Sequence, residues 1–279
     1  MINQIVSYWI EDKHYIREIP PADYEVMPGL KWGSHGNIFT PAYWLSQYWM
    51  AKLDEAEFSP YKTATNILDE IVFCMLGGFG VTAELSMAAF QHCKSEGLID
   101  NKVTDISEWE RTLSEKLDLN GRLVKYRYPK QKSKYLASAM QFISNNDVVS
   151  LRGKQLRDEL LKINGVGFKT AGWIARNFSD ADDVAILDIH LVRAGVICGF
   201  FSKEQRVERD YMAMEEQFIN FCNAIGTRPS VLDCLVWDQM RDFGGFALDI
   251  YNSVTDTKTT AVRPLQNTQS QLPLFSHLM

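Results

Sequence analysis

The sequence predicts an all-α fold. Apolar residues return at i, i+3 and i+4 in segment after segment, alternating β-type runs are scarce, and several segments open on capping residues. Residues 1–60 carry Pro20, Pro21, Pro28, Gly29, Gly33 and Gly36 and read as a loop-rich section packed on the helical core. "NILDEIVFCML" (66–76) is apolar nearly all round and reads as a buried helix. "TAELSMAAFQHCKSEG" starts at a Thr82 cap and stops near Gly97; "SEWERTLSEKL" places Ser107 and Glu110 at capping-box spacing. "SKYLASAMQFI", "KQLRDELLKI", "KTAGWIARNF", "RDYMAMEEQFINFCNAI" and "SVLDCLVWDQMRDF" each carry a helical apolar stripe, the last with Ser230 and Asp233 as a further cap signal. From about Asn252, "NSVTDTKTTAVRPLQNTQSQ" is poor in apolar residues and reads as an extended or disordered tail. The organisation expected is a section over 1–60, a core over 61–250 and a tail over 251–279.

With 279 residues, 46% of them hydrophobic, the chain can bury a large core without disulfides or structural metal. Cys74, Cys93, Cys198, Cys222 and Cys234 are widely spaced, which disfavours zinc and iron–sulfur sites and points to a reducing compartment. There is no signal-peptide pattern and no run of eighteen apolar residues, so a cytoplasmic protein off the membrane is expected, working as a monomer.

The net charge of -6 argues against a nucleic-acid partner, since phosphate binding relies on Lys and Arg that displace counterions. Residues 122–134, "RLVKYRYPKQKSK", are a local exception: Arg122, Lys125, Arg127, Lys130, Lys132 and Lys134 stand there with no acid among them. Such a run is also an ordinary solvated face. A second feature wants phosphate too. "NGVGFKTA" (164–171) joins two helical segments through a turn too short and glycine-rich to do anything else, making a helical hairpin. Glycines at 165 and 167 allow positive φ and leave amides bare at the positive end of the next helix, a place that holds a phosphate without basic side chains. A Gly-x-Gly is equally an ordinary tight turn between helices.

The stretch "LLKINGVGFKTAGWIARNF", followed by "DVAILDIHLVRAG", resembles the helix-hairpin-helix DNA glycosylases, and among them the small archaeal and bacterial 8-oxoguanine DNA glycosylase/lyases. "YPKQKSKYLASAM", "DEIVFCMLGGF", "YMAMEEQFINFCNAIG" and "LDCLVWDQM" extend the resemblance over roughly Ile67 to Met240. It implies two helical subdomains with a helix-hairpin-helix motif and an active-site cleft between them. It further implies Lys169 as nucleophile, Asp188 as the catalytic carboxylate, His190 on a flanking phosphate, Gly165 and Gly167 with Lys130, Lys132 and Lys134 on the DNA backbone, and Trp237 at the base pocket. No cofactor is implied, and a cation at the hairpin turn is left open.

The chemistry fits those residue types. Loss of a base develops positive charge on the sugar, which a carboxylate stabilises. A lysine that attacks C1′ must be a neutral amine, which desolvation in the small apolar turn and the helix N-terminus at Lys169 would both favour. Asp188 read alone is a helix cap, and His190 read alone a core histidine. A base also has to leave the stack for an aromatic pocket. Phe79 in "LGGFG" is the candidate wedge, and Trp32 and Trp44 are secondary pocket candidates whose plainer place is the core.

Two segments depart from the family. The chain runs on from Trp237 to Met279, and "MPGLKWGSHGNIFTPAYW" has no counterpart in the small enzymes. Either addition can reshape the pocket for another base, such as a glucosylated hydroxymethyl cytosine of phage DNA, so that excision serves antiphage defence instead of 8-oxoguanine repair. A non-catalytic DNA-binding module is the third reading. "QLPLF" resembles the peptide that docks on the bacterial sliding clamp, through Gln271, Leu272, Leu274 and Phe275.

Overall fold

The computed structural model describes residues 2–53, 66–78, 80–119 and 121–255. Helix dominates, as the sequence predicts, with ten helices and three two-stranded hairpins among the described residues. Phe79 and the segment holding Gln271, Leu272, Leu274 and Phe275 lie outside them.

The N-terminal section is more regular than a loop. β1 (Gln4–Ile10) pairs antiparallel with β2 (Lys13–Ile19), β3 (Glu25–Met27) pairs with β4 (Leu30–Lys31), and α1 (Pro41–Met50) follows a Thr40 cap. The alternation in β1 is real but invisible to hydropathy. Val6 and Tyr8 point inward and are buried, while the outward Ile5 and Trp9 are 49% and 67% exposed and just as apolar. The turn uses Glu11 and Asp12, with Glu11 at φ 53, in place of the usual Asn-Gly.

Two apolar cores divide the rest. The first is built by α2 (Ile67–Leu76), α3 (Ala83–Ser95), α4 (Ile106–Ser114), the hairpin β5 (Lys116–Leu119) and β6 (Arg122–Lys125), α5 (Pro129–Asn145), α6 (Gly153–Leu160) and α7 (Phe168–Ser179). Ile71, Trp109, Met140, Leu156 and Ile174 sit at its centre. The second joins the N-terminal section to α8 (Ile189–Cys198), α9 (Val207–Ile225) and α10 (Pro229–Thr255) around Ile19, Trp44, Met214, Phe218 and Leu232. Trp32 and Trp44 are buried there as core residues. The five cysteines are buried and none forms a disulfide among the described residues. No helix of the described residues is long and apolar enough to cross a membrane.

Several boundaries differ from the sequence pattern for identifiable reasons. Asn66 and Thr82 cap α2 and α3 through their side chains. In α4 the cap is Asp105, whose Oδ1 accepts the Ser107 amide at 2.7 Å; Ser107 is thereby inside the helix and its box with Glu110 is not formed. The start of α10 is capped from a distance, because Asp182 Oδ1 accepts the Ser230 amide at 2.9 Å and Asp233 turns inward to an arginine. α10 breaks at Gly244, where φ is 49 and ψ -118, and its second part reaches Thr255, past the residue where low hydropathy predicts extended chain.

Candidate active site

Hairpin geometry follows from one glycine. Gly165 sits at φ +86, and a Cβ there would lie 2.4 Å from the Tyr135 ring, so neither the backbone nor the space admits a side chain. Gly167 is different: its φ is -100, its surroundings are open, and it serves as the N-cap of α7. Positive φ is therefore used at 165 alone, a correction to the symmetrical reading of the two glycines. Because Gly167 has no side chain to cap the helix, the first-turn amides of α7 are left for an outside acceptor. A Gly165→Ala variant is expected to lose about 2–4 kcal/mol from the clash and the left-handed backbone. Gly167→Ala is expected to stay within about 1 kcal/mol of the parent, the weaker cap being offset by a less flexible unfolded chain. Thermal melts of the two variants check this contrast.

Lys169 is the second residue of α7 and is exposed. The desolvation expected for it is not supplied by the chain alone, since the apolar neighbours Val166 and Ala171 turn into the core while the lysine projects away. Lower in the helix, Gly172 runs so close to the crossing segment that a Cβ would meet the Ala185 carbonyl at 3.0 Å. Gly172 is three residues after Lys169 and Ala185 three before Asp188, so this contact brings the N-termini of α7 and α8 to one place.

Asp188 caps α8. Its Oδ1 accepts the amides of His190 and Leu191, both at 2.9 Å, and Oδ2 is left for the site. Cap and candidate carboxylate are thus one residue, half-buried at the seam between the two cores. His190 packs edge-on against Trp237, with centroids 6.1 Å apart and planes at 80°. Burial pushes His190 below the ordinary histidine range; Asp188 opposes this, while the charges of Arg193, Lys169 and Arg241 reinforce it. Lys169, Asp188, His190 and Trp237 therefore share one electrostatic neighbourhood. Arg241 completes it, its guanidinium 4.5 Å from the Trp237 ring.

A family model for 8-oxoguanine DNA glycosylases of the helix-hairpin-helix type matches residues 51–227. The chain belongs to this family. It is similar to an 8-oxoguanine DNA glycosylase/AP lyase of Thermoplasma volcanium, 26% identical over 190 residues that cover 67% of this chain and 85% of that one. A counterpart from Thermoplasma acidophilum is 26% identical over 174 residues, covering 61% and 78%. The crystal structure of Methanocaldococcus jannaschii 8-oxoguanine glycosylase/lyase in complex with 15mer DNA containing 8-oxoguanine has the same fold, with a TM-score of 0.52 and 22% identity over 72% of this chain and 98% of that one.

Within this family fold, the remaining predicted residues separate. Lys130 and Lys134 are exposed on the first turns of α5. Lys132 corrects the expectation of a free backbone cation. Its ammonium is half-buried and donates to the Met75 and Gly77 carbonyls, the latter at 2.9 Å, so it closes the C-terminus of α2. Burial lowers its pKa. One residue was hidden in an apolar stripe: Trp173, one turn after Lys169, lies edge-on to Phe73 at 6.0 Å and against Gly77. The i, i+4 spacing from the lysine is the signal that finds it.

Beneath these groups runs a buried polar chain. Arg176 bonds to Asp233 of α10 and, through Nε and Nη2 at 3.0 Å, to the Asn177 side-chain oxygen; Asn177 in turn donates to Glu70 of α2 at 2.6 Å. Burial lifts the Asp233 carboxyl to about 6, with Arg176 pulling it down and Asp188 pushing it up. At Arg176 burial works against the charge, yet Asp233, Cys234 and Cys74 together raise its pKa. Burial prevails at the carboxyl and pairing at the guanidinium, and both leave the ion pair formed at neutral pH.

Proposed function

We propose that this chain excises a modified base from duplex DNA by attack of Lys169 on the sugar, with 8-oxoguanine as substrate. The observation that carries the reading is the meeting of two helix N-termini, one presenting a lysine and the other a capping aspartate with a free carboxylate oxygen.

The steps follow from that pairing. A backbone phosphate docks on the bare amides of α7, and the seated duplex covers Lys169, removing the water that holds its ammonium form. As the glycosidic bond breaks, its electron pair leaves with the base, which takes up a proton. Positive charge grows on the sugar beside Asp188. Lys169 Nζ bonds to C1′ and loses a proton. Ring opening then gives the Schiff base as O4′ leaves carbon and is protonated. Loss of a C2′ proton next expels the 3′ phosphate by β-elimination. The exposed Lys130 and Lys134, together with His190, are suited to hold flanking phosphates, and Trp237 with Trp173 to receive the flipped base.

One contact favours a different base. The N-terminal section reaches α10 two residues from Trp237, where the Tyr43 hydroxyl donates to Gln239 Oε1 at 2.7 Å and Gln239 donates to Gln47 at 3.0 Å. An added wall beside the pocket suits a larger base, such as the glucosylated cytosine of phage DNA. Release of free base from 8-oxoguanine duplex and from glucosylated phage DNA decides the matter. The reading expects 8-oxoguanine in the supernatant. Release from phage DNA alone establishes the defence reading, and release from neither reduces the chain to a DNA-binding module.

A further inference from the structure

We propose that Arg176 and Asp233 are positioning residues: their buried ion pair sets the height of Lys169 against Asp188 and Trp237. The proposal rests on the reading of Lys169 as the nucleophile.

The placement is specific. Arg176 stands seven residues after Lys169 on α7, two turns along the same stripe and about 10 Å down the axis. Asp233 stands four residues before Trp237 on α10, one turn along the same face. Both ion-pair residues are 5% exposed. The apolar face of α7 belongs to the first core, where it packs on α2 and α6; that of α10 belongs to the second, where it packs on α8, α9 and α1. The ion pair crosses from one core to the other. Apolar packing is non-directional and leaves a helix some freedom to slide, whereas a guanidinium aimed by the amide oxygen of the next residue on its own helix and bonded to a carboxylate of another holds the two helices at one level.

The chain of bonds then reaches each part of the site. Arg176 holds α7, which presents the lysine. Asp233 holds α10, which carries Trp237 and packs on α8, whose first turn is capped by Asp188. Asn177 and Glu70 carry the tie to α2, which leads into Gly77 beside Trp173, and the Cys74 thiol also donates to Glu70, at 3.3 Å. Nucleophile, carboxylate and pocket aromatic sit on three helices from two cores, and this network sets their relative height.

A buried ion pair replaced by apolar side chains of similar volume often leaves stability intact, which separates positioning from folding. The test uses full-length protein, duplex DNA with an abasic site, and borohydride trapping under single-turnover, saturating conditions. In the double variant Arg176→Met with Asp233→Leu, the melt stays cooperative and DNA affinity stays within about threefold of wild type, while the trapping rate falls about 100-fold, the cost of a misplacement near 1 Å. Arg176→Lys supplies a second measurement, since it keeps the charge but loses the fork to Asn177; about a tenfold loss in trapping rate at unchanged affinity is expected. A folded variant that traps within about threefold of wild type overturns the positioning role. Wild type that forms no adduct overturns the nucleophile reading, and this one with it.

Discussion

A Lys169→Ala variant forms no borohydride-stable adduct with duplex DNA carrying an abasic site, under conditions where wild type is trapped. The adduct is a reduced Schiff base and needs a primary amine at the sugar, so the expected loss is complete within detection, about 10³-fold or more. Folding is spared, because the lysine is exposed on the first turn of α7 and alanine is the better helix former. DNA affinity falls only modestly, since the hairpin amides and the remaining cations persist. Lys169→Arg sharpens the result by keeping the charge while removing the nucleophile: it binds as wild type does and still gives no adduct. An adduct that survives in either variant places the chemistry on another amine.

Asp188→Asn separates the two roles of that residue. Asparagine caps helices as well as aspartate, and its amide oxygen can accept the His190 and Leu191 amides as Oδ1 does now. The fold should therefore change by less than about 1 kcal/mol. What disappears is the negative charge that the proposed mechanism sets beside the sugar, and single-turnover base release is expected to fall about 10²–10³-fold. Asp188→Ala loses the cap as well and should melt about 0.5–2 kcal/mol less stable with the same catalytic deficit. Base release by Asp188→Asn at the wild-type rate makes the residue a helix cap and nothing more.

How far these sites were legible depends on the kind of signal each leaves. The hairpin and its lysine stand out because glycines break two clear helical stripes at a fixed spacing. Most of the helices are legible because their apolar faces are one-sided, and α2 because it is apolar nearly all round. β1 and β2 did not, since the solvent face of the hairpin is apolar and the turn carries acids. Caps were misplaced at α4 and α10, where a nearby or a remote aspartate supplies the oxygen and the local serine is passed over. Gly167 resembles Gly165 in sequence but not in backbone, because φ depends on the turn as a whole. Lys132 resembles its neighbours in charge, yet it faces the open carbonyls of α2, a partner more than fifty residues away that no local pattern records. The Arg176 to Asp233 tie is hidden for the same reason.

The five thiols carry a further consequence. All are buried, and burial raises the pKa of Cys74, Cys93, Cys198 and Cys222. Oxidants react with thiolate, so these sulfurs are slow targets for peroxide. The oxidising conditions in which the proposed substrate accumulates therefore leave these five buried sulfurs slow to react.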